Sequence, residues 1–393
     1  MVRVGEALKQ LLRDCHGARP EDLPDLAMRV APLLGLREIV VYAVDYGQVR
    51  LMPFAGPTTP HRESLSVDGT VAGRAFGMCE PVEVNSDGAY RLWVPMSDCS
   101  HRLGVVELVG DQSADEPVRA AAEAVATILC ELMATRRQYG DAIEFVRRRM
   151  PMQVATEIVW SLLPPLTFAT DAAVVTGILE PAYDVGGDAF DYAINGDVMH
   201  VALFDAVGHG IAASTLTTVA LNAYRNARRC GLDLLDTARS VDKWVSAQFP
   251  DLFVTAVLGE LNLNDGTLRY ICAGHPAGLL LREGRLVREL SGPTSLPLGL
   301  MHMQPGHPDI VEEALQPGDH VLMYTDGVVE ARSADGTFFG QQRLVDLVTR
   351  TLADRTPAPE TMRRLVRAIL AHQYEQLQDD ATALLLAWSG RVG

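Results

Sequence analysis

The 393-residue chain carries 34 basic and 50 acidic side chains, a net charge of −16, and 48% hydrophobic residues. That length and apolar content bury ample core across two or three domains, and the acidic balance argues against wrapping a nucleic-acid backbone or adsorbing to anionic lipid. Lys9 and Lys243 are the two lysines and neither lies in a Gly-rich loop, which argues against a kinase or P-loop ATPase, whose chemistry needs a lysine on the phosphates.

Helical spacing at Ala7, Leu8, Leu11, Leu12 and at Leu26, Val30, Leu33, Leu34 opens the chain. Short apolar runs follow at Ile39–Val44, Val49–Phe54, Tyr90–Pro95 and Leu103–Val109, each bounded by Gly, Pro, Asp or Ser, and predict an antiparallel sheet with helices. A helix is expected over Pro117–Met133, and helical spacing continues from Arg136 to Leu163 with interruptions at Gly140 and Pro151. The Arg147-Arg-Arg149 run reads as a solvated helix face. Beyond Pro165, strands are expected at Val174–Leu179, Met199–Phe204, Phe253–Leu263, Thr267–Ala273, Gly278–Leu281, Val321–Tyr324 and Ala381–Trp388, with a hairpin turn at Asn264-Asp265-Gly266. Helices are expected at Ile211–Arg229, Leu232–Gln248, Gln342–Leu352 and Thr361–Gln376. The fold class is therefore α+β: a sheet-and-helix domain over 1–135, a helical linker over 136–163, and over 164–390 two face-to-face antiparallel sheets flanked by helices.

Six cysteines, Cys15, Cys79, Cys99, Cys130, Cys230 and Cys272, show neither CxxC spacing nor regular pairing and read as reduced thiols. Met1–Cys15 has no signal-peptide pattern and no apolar run is long enough to span a bilayer, so the expectation is a cytoplasmic protein without membrane contact of its own.

Chemistry concentrates in four stretches of the C-terminal half: Val185-Gly-Gly-Asp188, Leu203-Phe-Asp205-Ala206, Tyr324-Thr-Asp326-Gly327 and Asp379-Asp380-Ala-Thr382. Any one Asp-Gly is ordinary turn chemistry. Four carboxylates placed at strand ends beside small residues, with no His/Cys set of zinc spacing, instead favour Mg²⁺ or Mn²⁺. Two such ions about 3.5–4 Å apart lower the pKa of a bridging water and stabilise charge on a phosphoryl group, so no protein nucleophile is required.

The ordered set VGGDAFDY, FDAVGHGIAAS, ICAGHPAGLLL, LPLGL, PGDHVLMYTDGVVEAR, FG..RL and DDATALLLA resembles the PPM-type (protein phosphatase 2C-like) metal-dependent phosphatases, in their bacterial SpoIIE/RsbU-like branch, over roughly residues 155–390. The resemblance implies a phosphoserine/phosphothreonine protein phosphatase holding two or more Mn²⁺ or Mg²⁺ ions. Asp205 would bridge both ions, with the Ala206 carbonyl standing where many members use a Gly; Asp188 would hold one ion, Asp326 and Asp379 the other. Asp191 would orient a metal-bound water, and Asp380 stands where relatives often have Asn. Gly208-His209-Gly210 opens a helix whose amides could hold an anion or water, and His209 is either a general acid or a cap. His275 reads as structural, and Gly292–Gly306 is either a flap beside the substrate or a surface loop. The implied substrate is a phosphorylated anti-sigma-factor antagonist of a partner-switching pathway. Residues 20–135 resemble a GAF sensor domain through SVDGTVAGRAFGMCEPVEV and RLWVPMSDCSHRLGVVELVG, which implies a regulatory module and, with the linker, a homodimer. His61, His101 and Cys99 read as surface or core residues rather than cofactor anchors. Two alternatives stand beside this reading: a non-catalytic signalling scaffold on the same fold, and a two-metal hydrolase of small phosphoesters or nucleic acid. The acidic charge disfavours nucleic acid.

Overall fold

The computed structural model describes residues 4–86, 88–98, 101–184, 186–276, 278–290, 292–374 and 379–390. Cys99, Val185 and Ala277, named above, and the end of the helix expected over 361–376 lie outside them. The chain divides into two compact units, Met1–Pro151 and Met152–Gly393.

In the first unit, helices α1 (Val4–Asp14) and α2 (Leu23–Val30) precede strands β1 (Glu38–Val44), β2 (Arg50–Phe54) and β3 (Leu65–Ser66). Then come α3 (Val71–Met78), β4 (Val82–Ser86), β5 (Ala89–Ser97), β6 (Arg102–Gly110), α4 (Glu116–Arg136) and α5 (Ala142–Arg147). The six strands form one antiparallel sheet in the order β3-β2-β1-β6-β5-β4. Because side chains alternate along a strand, Ile39, Val41, Val106 and Leu108 pack with the helices α1, α2 and α4. Val40, Tyr42, Trp93 and Val105 face the other way, onto Ala72, Ala75 and Phe76 of α3. Coverage on both faces is why these strands read as unbroken apolar runs. The elements β3, α3 and β4 are additions to those expected from sequence. The side chain of Thr70 starts α3 by accepting the Gly73 N–H at 3.0 Å. Position 73 must be glycine, since a Cβ there would overlap the Val67 carbonyl.

The run Arg147–Arg149, expected as a solvated helix face, is instead a set of anchors. Arg147 is buried, donating from Nε to the Val44 carbonyl at 3.1 Å and lying 4.4 Å from the Tyr46 ring centroid. Arg148 pairs with Glu144 at 3.3 Å and Arg149 with the buried Asp45. The helical pattern ends at Arg147, and the Arg147 and Arg149 guanidinium groups face the Val44 carbonyl and the buried Asp45 at the end of β1.

The second unit begins with α6 (Val154–Leu162), β7 (Thr167–Ala169), β8 (Ala173–Glu180), β9 (Asp188–Asn195) and β10 (Val198–Ala206). Helices α7 (Gly210–Arg229) and α8 (Leu234–Gln248) follow, then β11 (Val254–Asn262), β12 (Thr267–Ala273), β13 (Gly278–Arg282), β14 (Arg285–Leu290), β15 (Val311–Ala314) and β16 (Asp319–Tyr324). The chain closes with α9 (Asp326–Val329), α10 (Gly340–Ala353), α11 (Ala358–His372) and β17 (Ala381–Trp388). Two antiparallel sheets result, β15-β12-β11-β10-β9 and β14-β13-β16-β17-β8-β7. Alternation again explains the apolar runs: Leu384 and Leu386 join the core between the sheets, while Ala383 and Leu385 pack with Leu344, Val348, Leu365 and Ile369 of α10 and α11. Helices α7 and α8 cover the other sheet. The sheets approach closely at Gly177 of β8, where a Cβ would sit 2.7 Å from Cε1 of Phe190 in β9. This is the α+β sandwich expected. Within the stretch 136–163, α5 packs in the first unit and α6 against α7 in the second. No disulfide joins any two of the described cysteines, Cys15, Cys79, Cys130, Cys230 and Cys272. Among the described residues no helix is long and apolar enough to cross a membrane.

Candidate metal centre

The four Asp stretches meet at one end of the sandwich, and neighbouring strands explain how. Asp188 opens β9, where no strand was expected, and stands directly opposite Asp205 near the end of β10; Asp205 in turn faces Thr255 across β11. Like charges placed opposite each other on adjacent strands repel. On the other sheet β16 and β17 are neighbours, so Asp326, the first residue of α9, and Asp379 and Asp380, just before β17, come together. Asp188 and Asp326 therefore begin regular elements rather than loops.

Burial pushes the Asp205 carboxyl up to about 6, with further upward pushes from the charges of Asp326, Asp379 and Asp380 against a smaller downward one from the Thr255 hydroxyl. Asp188 is almost wholly buried, and its carboxyl lies well above the ordinary value through burial and then the charges of Asp205 and Asp380. Asp326 is raised by burial and then by Asp379. Among the described residues no Arg, Lys or His forms an ion pair with Asp188, Asp205, Asp326 or Asp379. Nor, among the described residues, are three or more His, Cys, Asp or Glu side chains grouped closely enough to hold a metal ion as they stand. What the fold assembles is a set of oxygen donors with uncompensated negative charge, and that donor chemistry fits a hard divalent cation.

The remaining candidates separate clearly. Asp380 accepts from three successive amides, Gly186 at 2.9 and 2.7 Å, Gly187 at 2.7 Å and Asp188 at 3.2 Å. It ties the loop before β9 to the start of β17. Gly187 is pressed against the end of β10: its carbonyl accepts from Ala206 N at 3.3 Å and from Thr217 Oγ1, and a Cβ on it would lie 2.6 Å from the Ala206 oxygen. Ala206 does not adopt positive φ, so its methyl is tolerated; the turn is made by Gly208 (φ 97°) and Gly210 (φ 73°). His209 is the exposed N-cap residue of α7 and its side chain makes no capping bond. Asp191 is not brought to the carboxylates. Lying three residues beyond Asp188 on β9, it points to the opposite face, where Arg225 (3.1 and 2.7 Å) and Arg228 (2.9 Å) occupy its oxygens. Three bonds from α7 thus hold its carboxylate on that face, turned away from the four carboxylates beside which the expected water-orienting role would place it.

His275 is buried between β12 and β13, its Nδ1 3.1 Å from the Pro276 carbonyl, and burial pushes its pKa down to about 4. The Gly292–Gly306 segment is pinned: the amides of Gly299 and Met301 each donate to Asp242 of α8 at 2.8 Å, and Leu298 is buried beside Val254. Thr325, which the sequence pattern does not single out, is 1% exposed and its hydroxyl donates to Asp188 at 2.8 Å; its signal in the sequence is its place immediately before Asp326 in Tyr324-Thr-Asp326.

The family model for stage II sporulation protein E (SpoIIE) matches residues 195–389, from the end of β9 through β17. That match covers most of the second unit, Met152–Gly393. Asp205, Asp326, Asp379 and Asp380 lie inside the SpoIIE match, Asp188 and Asp191 just before it. The chain is 23% identical over 266 residues to Protein IcfG of Synechocystis, covering 60% of this chain and 41% of that protein. It is 22% identical over 237 residues to phosphoserine phosphatase RsbU of Bacillus subtilis, covering 60% of this chain and 69% of that one. The SiaA-PP2C domain of Pseudomonas aeruginosa shares the fold, with a TM-score of 0.51 at 22% identity over 65% of this chain and 99% of that domain. The family match thus spans the sandwich from the end of β9 through β17, while the chain spans less than half the length of IcfG.

Proposed function

We propose that this protein is a cytoplasmic, Mn²⁺- or Mg²⁺-dependent phosphoserine/phosphothreonine protein phosphatase. The observation that carries the proposal is the set of four uncompensated carboxylates, Asp188, Asp205, Asp326 and Asp379, held at one end of a SpoIIE-type sandwich. Asp205, with the Ala206 carbonyl beside it, would serve both ions, Asp188 one of them, and Asp326 and Asp379 the other. Ions bound there would lower the pKa of a water and place positive charge against the phosphoryl oxygens. The chain's own part is to present deprotonated oxygens in fixed positions: Thr255 steadies Asp205, while Asp380 holds the loop that delivers Asp188. The Gly208–Gly210 turn at the start of α7 leaves amides and the exposed His209 beside this end of the sheet, suited to receiving a phosphate from solvent.

The name of the RsbU relative supports phosphoserine as substrate, and the SpoIIE/RsbU branch supports a phosphorylated anti-sigma-factor antagonist as its bearer. Residues 1–135 serve as a GAF-like regulatory module, and the chain works as a homodimer through that module and the linker. The test is hydrolysis of p-nitrophenyl phosphate and of phosphorylated antagonist protein by full-length chain. Asp205→Ala and Asp326→Ala should each lose Mn²⁺-dependent turnover by 10³-fold or more, roughly the scale of removing a metal-based electrostatic clamp, while circular dichroism stays unchanged. Full activity in either variant refutes the metal assignment; preference for nucleotides over phosphoprotein moves the protein to a small-phosphoester hydrolase.

A further inference from the structure

We propose that Thr325 is the positioning residue that sets Asp188 relative to Asp326, and with it the affinity of the ion assigned to Asp188; this rests on the two-metal reading above. Thr325 stands at the junction of β16 and α9, immediately before Asp326, whereas Asp188 opens β9 in the opposite sheet. The 2.8 Å bond from the Thr325 hydroxyl to Asp188 Oδ2 therefore crosses the sandwich. The same hydroxyl accepts the Thr382 N–H at 3.0 Å, and the Thr325 N–H donates to the Thr382 carbonyl at 2.9 Å. One buried side chain thus links the stretches carrying Asp188, Asp326 and Asp379-Asp380.

The hydroxyl has a single proton. Its possible acceptors are the Asp188 carboxylate at 2.8 Å and the Thr382 carbonyl at 3.4 Å, and the shorter, charge-assisted bond takes it. Asp188 receives no ion pair among the described residues, and Asp205 stands directly opposite it as a like charge. Capping α9 does not explain Thr325, since its side chain makes no capping bond there. A plain packing residue would not need the hydroxyl. The hydroxyl restrains the Asp188 carboxylate at Oδ2, the arrangement by which groups behind a ligand tune a metal site.

The test is a calorimetric Mn²⁺ titration of full-length wild type, Thr325→Val and Thr325→Ser, with Asp188→Asn as reference. The valine variant keeps the branched shape without the donor and should weaken one Mn²⁺ event by roughly 10–100-fold, the usual effect of losing such a partner, leaving the other within about twofold. Serine should restore the wild-type isotherm, and Asp188→Asn should weaken the same event as valine, with the double variant no worse than Asp188→Asn alone. Should the valine variant fail to fold, Thr325→Ala is read in the same way. Wild-type affinities in the valine variant, equal weakening of both events, or a serine variant as impaired as valine each overturn the inference while the metal reading stands. Absence of Mn²⁺ binding by wild type removes both.

Discussion

With its carboxyl pushed up to about 6, Asp205 holds a proton in the folded metal-free chain that the unfolded chain has already lost near pH 4. Stability from this group therefore falls as pH rises between about 4 and 6 and stays reduced above. Buried His200 and His275, both pushed down to about 4, act in the opposite direction, so the Asp205 effect is isolated by comparison with Asp205→Asn. Without metal, that variant should melt above wild type at pH 7 and the gap should shrink toward pH 4; with Mn²⁺ the order should reverse, because the ion stabilises the wild-type fold. A gap independent of pH contradicts the assigned electrostatics. At Asp191, buried and held by Arg225 and Arg228, replacement by Ala removes the carboxylate partner of two largely covered guanidinium groups. A loss of about 3–5 kcal/mol in urea unfolding is expected, with turnover per folded molecule retained. Selective loss of turnover at unchanged stability would restore the water-orienting role. Asp380→Ala should cost about 2–4 kcal/mol in the same measurement, since it leaves the Gly186, Gly187 and Asp188 amides without their acceptor.

The pairing of β9 with β10 is the element on which the site depends, and it places Asp188 and Asp205 side by side. Its spacing from the second sheet is set where Phe190 lies against Gly177. Gly177→Ala should push these strands apart and lower stability by about 1–3 kcal/mol, the usual range for overpacking. Combining it with Phe190→Leu, which removes the ring, should recover part of the loss in thermal melts. Additive loss in the double variant contradicts the close-approach explanation. Strand β9 also shows why part of the site was hidden in the sequence. Its residues Asp188-Ala-Phe-Asp-Tyr-Ala-Ile-Asn195 carry two carboxylates, one turned toward the metal centre and one toward arginines of α7. Such a segment lacks the apolar alternation that marks a strand, and the two roles are distinguishable only by which face each side chain occupies.

For the whole molecule, the boundary after Pro151 makes residues 152–393 a natural fragment. It should fold alone, with a single cooperative transition, and keep Mn²⁺-dependent hydrolysis of p-nitrophenyl phosphate; sedimentation of fragment and full chain at micromolar concentration tests whether the first unit and linker carry dimerisation. A monomeric full-length chain removes the dimer from the proposal. By itself the sequence determined the α+β class, most strands and helices, and the four carboxylate stretches, because periodicity and small residues beside Asp are local signals. The tertiary structure alone decided that Asp191 serves α7, that Arg147–Arg149 are anchors, that Asp380 clamps a loop, and that Thr325 reaches Asp188. Those roles depend on which strand lies beside which and which face a side chain takes, and residues 137 positions apart carry no local trace of meeting.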